Sequence, residues 1–149
     1  MWPFTPHIKW HIPEGRYDLV PQKATPGSMA YDLVSPTNHE IPAKGQLLLN
    51  TLVAVTMPKG YAMIFGSRSG MAYNQRVTVE GGWIDNDYRG LLKVLLYNHS
   101  DQPVQIVAGQ RIAQAMLIKT HQLESRISFN YPDANSTKRG AGGFGSTGK

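Results

Sequence analysis

The chain has 149 residues, 15 Lys and Arg against 10 Asp and Glu, a formal charge of +5, and no cysteine. At this length one domain is the default, and the lack of cysteine excludes disulfides, thiolate nucleophiles and thiolate metal sites. The positive charge suits an anionic partner. Because Lys138 and Arg139 form the only adjacent basic pair, a small phosphorylated substrate fits better than a duplex, and no nucleic acid is expected.

At the N-terminus, "MWPFTPHIKWHIPEG" has no apolar run behind a basic start, and no stretch is long and apolar enough to cross a bilayer. A soluble intracellular protein, cytoplasmic and without a membrane partner, is the expectation. His7 and His11 have the spacing of a helical metal pair, but Pro6 and Pro13 oppose a helix there. Short apolar or alternating runs then follow at 46–57, 60–66, 75–79, 91–98, 103–107 and 111–120. Gly, Pro, Asn and Asp turn signals separate them, which predicts an all-β sandwich, jelly roll or barrel. From about Asn130 the composition turns to "NYPDANSTKRGAGGFGSTG". That shift divides a packed body, 1–130, from a flexible arm, 131–149. The arm's end, Gly143 to Lys149, approaches a phosphate-binding loop, but no Ser or Thr and no helix follows the lysine.

Four stretches have chemistry to offer. In "VEGGWIDNDYRG", 79–90, Gly81 and Gly82 suggest a hairpin whose backbone approaches something closely. Strand periodicity there would put Asp85 and Asp87 on one face and Ile84 and Asn86 on the other; an ordinary polar turn is the alternative. Asp32 stands in the apolar run "AYDLV", where a carboxylate needs a partner or a cation. "GSRSGMA", 66–72, offers backbone N–H groups, a hydroxyl and a guanidinium to a phosphate. "AGQRIAQAM" places Arg111 and Gln114 on an apolar strand.

In this order the motifs, with "GGWIDNDYRG", "GQRIAQ" and the tail "RGAGGFGSTG" the most specific, resemble the trimeric deoxyuridine triphosphate pyrophosphatase (dUTPase) family. The resemblance runs from Ala24 to Gly148. It implies a jelly-roll-like β-clip fold with a flexible glycine-rich arm, a homotrimer with active sites shared between subunits, and hydrolysis of dUTP to dUMP and pyrophosphate with Mg2+. It implies that Asp85 activates the water attacking the α-phosphorus and that Tyr88 packs on the deoxyribose. The backbone from Val79 to Gly82 would read uracil, and Arg68, Ser69, Gly70 and Gln114 would bind phosphates. Asp32 would hold magnesium through water. In the arm, Arg139 would meet the γ-phosphate, Phe144 would stack on uracil, and Gly145, Ser146 and Thr147 would close on the nucleotide. The chain departs from the family's pattern at Met29, Ala30, Ser67, Glu80 and Trp83. Two other readings are a dCTP deaminase on the same fold and a regulatory nucleotide-binding protein. The deaminase would need a glutamate that "LLKVLLYN" does not offer, and retention of every assigned side chain argues against lost catalysis.

Overall fold

The protein is described by a computed structural model covering residues 6–121 and 123–143. Eleven strands occur among the described residues: β1 Lys9–His11, β2 Tyr31–Val34, β3 His39–Ile41, β4 Gln46–Asn50, β5 Ala54–Thr56, β6 Tyr61–Gly66, β7 Val77–Glu80, β8 Trp83–Ile84, β9 Lys93–Asn98, β10 Val104–Ile106 and β11 Arg111–Lys119. All pairs are antiparallel. The larger sheets run β2-β11-β6-β8 and β4-β9-β7, with β1-β5 and β10-β3 as separate pairs. The all-β expectation holds, and no helix among the described residues is long and apolar enough to cross a membrane.

The alternation legible in the sequence supplies one core. Val94 and Leu96 of β9, Leu49 of β4, Met63 and Phe65 of β6 and Ile112, Ala113 and Ala115 of β11 are buried together. Asn98 is buried among them and fully satisfied. Its amide donates to Ile41 O, Pro42 O and Gln102 O at 3.2, 3.1 and 2.8 Å, and its carbonyl accepts from Ser100 N and Oγ.

Three expectations need correction. The run 46–57 is two strands, because Leu52 takes a left-handed φ of 60° while the Asn50 side chain accepts its N–H at 2.9 Å. The run 75–79 begins as a wide helical turn, Met71–Gln75, after which Arg76 at φ 54° resets the chain into β7. At the other end of the hairpin, Asp85 and Asp87 do not share a strand face. Strand β8 ends at Ile84, and the chain turns there with Tyr88 N–H donating to Asp85 O.

Near the N-terminus, β1 covers the edge of β5, Trp10 standing edge-on to Tyr31 at 5.4 Å. Three residues between prolines gave no periodic signal for that strand. At the other end the last strand stops at Lys119, and residues 123–143 are almost wholly exposed around a short turn, Ala134–Ser136.

Candidate active site

Strand β11 organises the first cluster. Gln114 stands opposite Asp32 of β2 on one side and Gly66 of β6 on the other. Asp32, Gln114 and Gly66 therefore form one row across three strands. Two residues past Gly66, Arg68 turns back and its Nε donates to Asp32 Oδ1 at 3.0 Å; Arg111 Nη1 lies 3.5 Å from Asp32 Oδ2. The partner that a carboxylate in an apolar strand requires is thus a pair of guanidinium groups. Two arginines against one aspartate leave the cluster with a surplus positive charge.

Asp32 forms the wall between two clefts. One, of about 290 Å³, is lined by Ser28, Met29, Ala30, Asp32, Arg68 and Gln114. The other, of about 260 Å³, includes Tyr17, Asp18, Lys23, Asp32 and Arg111. Hydrogen bonds from Arg16 hold the Asp18 carboxyl below the ordinary range and raise the guanidinium in turn. Tyr17, Asp18 and Lys23 precede every motif, so only the fold reveals their place. Ser69 and Gly70 are exposed beside Arg68, where Ala72 N–H donates to Arg68 O.

The second cluster is the β7–β8 hairpin. Gly81 and Gly82 have φ of 64° and 85°, and a Cβ on Gly82 would stand 2.7 Å from Phe65 Cβ. The close approach expected of the glycine pair is made to the chain's own β6. Phe65 N–H donates to Gly82 O at 2.8 Å, and Val79 N–H donates to Ser67 Oγ at 2.8 Å. Val79 and Gly82 are therefore held beside the end of β6 that leads to Arg68.

Asp85 and Tyr88 lie elsewhere. Ile84 is opposite Met63, and the Asn86 amide donates to Pro58 O and Tyr61 O at 2.8 and 2.7 Å, which fixes the turn at the Tyr61 end of β6. Asp85 is thus displaced four strand positions from the Gly66 row, about 13 Å along the strand. Arg89 Nη1 bonds Asn86 O and Tyr88 O, and Tyr88 Oη donates to Leu91 O. A Cβ at Gly90 would collide with the Tyr88 ring and hydroxyl. The turn is braced throughout, yet the Asp85 carboxylate is exposed and takes no hydrogen bond from any described residue.

Arg139 joins neither cluster; it is exposed and its Nε donates to Gly142 O at 3.1 Å. Phe144, Gly145, Ser146 and Thr147 lie outside the described residues. For magnesium, both Asp32 oxygens already face guanidinium groups, and the described residues contain no group of three or more His, Asp or Glu side chains able to hold a metal ion. That donor set fits a cation held mainly by a substrate's own oxygens and waters, not by a protein cage.

Comparison with known proteins identifies the family and the fold. The dUTPase family model matches residues 17–148. The chain belongs to the dUTPase family. Among curated relatives, the deoxyuridine 5'-triphosphate nucleotidohydrolase of Arabidopsis thaliana is 38% identical over 130 residues, covering 87% of this chain and 76% of that protein. The counterpart from avian adenovirus 8 is 39% identical over 152 residues, covering 98% and 88%. Among solved structures, the dUTPase of Staphylococcus bacteriophage 80alpha with dUPNHPP superposes with a TM-score of 0.86 at 22% identity, covering 97% of this chain and 100% of that one. A mutant dUTPase from phage phi11 of S. aureus, described for its coordination of a structural Mg(II) ion, gives 0.75 at 19% identity, covering 84% and 98%. These likenesses identify the fold as the jelly-roll-like β-clip of the dUTPases.

Proposed function

We propose that this dUTPase hydrolyses dUTP to dUMP and pyrophosphate at sites completed by a second copy of the chain. One observation carries the shared site. Along β6 the order within one chain is phosphate cradle at Gly66, base-reading hairpin at Phe65, then Asp85 beyond Ile84 and its partner Met63. In the nucleotide the order is base, α-phosphorus, then β- and γ-phosphates. A base held by one chain's hairpin, with its α-phosphorus at that chain's Asp85, points its outer phosphates away from the same chain's Arg68. Another copy's cradle must receive them. A closed ring of three copies, as the family resemblance implies, gives every chain one role of each kind. Met29 and Trp83, 71% and 74% exposed at the rim of the four-stranded sheet, supply apolar surface for such a contact.

In this reading the Arg68 guanidinium, the Gln114 amide, the Ser69 hydroxyl and the Gly70 N–H bind phosphate oxygens, and their positive charge balances the triphosphate. Arg111, 3.5 Å from Asp32 Oδ2, stands beside them as a second counter-charge to that carboxylate. A magnesium ion, when bound with the triphosphate, would supply charge neutralisation, and Asp32 would hold its waters. The backbone from Val79 to Gly82 pairs with the uracil edge, and the Tyr88 ring lies against the deoxyribose. Asp85 accepts a proton from water as the water oxygen bonds to the α-phosphorus. The bond from that phosphorus to the bridging oxygen then breaks, and pyrophosphate leaves. Arg139 and the arm residues 144–147 close over the phosphates and base and exclude water.

Pyrophosphate release measured over the four common deoxynucleoside triphosphates and dUTP tests the reading. Turnover confined to dUTP is expected; equal turnover of dCTP or dTTP contradicts it, and ammonia release from dCTP would show the deaminase instead.

A further inference from the structure

Strand β7 is paired with β9 on one edge, Val79 facing Leu96, and among the described residues no strand pairs with its other edge. Two hydrogen bonds tie the hairpin to the end of β6. Phe65 N–H to Gly82 O is a main-chain bond that survives any substitution at Phe65 other than proline. The other depends on a side chain: Val79 N–H donates to the Ser67 hydroxyl oxygen at 2.8 Å. Between them lie Gly81, with open space around it, and Gly82, both at positive φ. A turn of two such glycines has little stiffness of its own, so its position is set by whatever holds its ends.

We propose that Ser67 is a positioning residue for base recognition, its hydroxyl fixing the free edge of the hairpin at the height where the backbone meets uracil. The inference rests on the reading of Val79 to Gly82 as the base-reading segment. Recognition by backbone groups demands placement to within fractions of an ångström, and a hairpin free to shift admits a bulkier base edge as readily as the correct one. Ser67 directly precedes Arg68, but in the shared site that arginine serves one nucleotide while Val79 serves the next. Loss of the hydroxyl should therefore move base selection and leave phosphate affinity alone.

The test compares Ser67→Ala and Ser67→Thr with the unaltered protein in three measurements: kcat and KM for dUTP, the ratio of kcat/KM for dUTP over dTTP, and inhibition by inorganic tripolyphosphate with magnesium. Loss of one hydrogen bond of this kind should raise KM roughly three- to tenfold in Ser67→Ala. The dUTP to dTTP ratio should fall by a similar factor, and tripolyphosphate inhibition should stay within about twofold. Ser67→Thr, which keeps the acceptor, should restore both. Where alanine disturbs folding, Ser67→Cys, similar in size but a poor acceptor, should give the same pattern. Selectivity unchanged in the folded variants overturns the proposal, as does tripolyphosphate inhibition weakening in step with KM. Absence of dUTP turnover in the unaltered protein would instead overturn the functional reading beneath it.

Discussion

Arg68 Nε donates to Asp32 Oδ1 at 3.0 Å across 36 residues of chain, so the cation proposed to bind phosphate is already oriented by an acid inside the cleft. A carboxylate there repels an anion at close range and at the same time aims the guanidinium. The arrangement suits an anion that arrives with its own cation.

Asp32→Asn separates those effects. Binding of tripolyphosphate without magnesium should tighten or stay unchanged, because the repelling charge is gone. Turnover of dUTP with magnesium should fall by roughly tenfold or more, since a neutral amide holds the metal's waters less well. Titration calorimetry and pyrophosphate release check the two arms, and weaker metal-free binding would contradict the electrostatic account.

Asn98 should be the most damaging polar residue to replace. Asn98→Leu removes one donor from each of the carbonyls of Ile41, Pro42 and Gln102 and the acceptor of the Ser100 N–H, while Pro42 O keeps Gly45 N–H and Gln102 O keeps the Ser100 hydroxyl. The expected loss is roughly 2–4 kcal/mol, read from urea unfolding at fixed protein concentration.

Arg76 points the other way. Its left-handed φ of 54° disfavours any residue with a Cβ, and its side chain is exposed. Arg76→Gly should stabilise by about 0.5–1 kcal/mol, relief of the strain outweighing the greater entropy of the unfolded glycine. A lower melting temperature would show that the side chain has a partner of its own.

These residues also show what the sequence could and could not reveal. Asp32 announced its need for a partner, because a carboxylate in "AYDLV" is costly to enclose unless it is paired, hydrogen-bonded or near a cation. Which arginines answer depends on β11 lying between β2 and β6, a pairing of distant segments. The glycine pair at 81 and 82 announced a close approach, and Phe65 proved to be what is approached. The break at Leu52 was hidden, since its cause is a side-chain turn from Asn50 together with Thr51 Oγ1 bonding Leu92 O, 41 residues away. Asp85 and Asp87 left strand and polar turn both open for a similar reason: the Asn86 amide is drawn to Pro58 O and Tyr61 O, and that contact ends β8 and makes the turn.

Among the described residues Arg139 is bonded only within its own turn, through Gly142 O, so none of the described sheet contacts depends on it. Arg139→Lys should leave the melting temperature unchanged and reduce kcat on the order of tenfold, because a lysine keeps the charge and gives up the planar fork. Retention of full kcat would remove that arginine from the closing arm's chemistry.

The central claim is that Asp85 of one chain works with Arg68 of another, and subunit mixing tests it most directly. Asp85→Asn and Arg68→Ala should each fold and each lose most dUTP turnover when prepared alone. Unfolded together and refolded at equal concentration, random assortment in a ring of three should rebuild intact pairs at about a quarter of the sites. Recovery of pyrophosphate release toward on the order of a quarter of the unaltered rate is the predicted result. Mixed assemblies that form but show no more activity than the separate variants would place both residues in one chain's site and contradict the account.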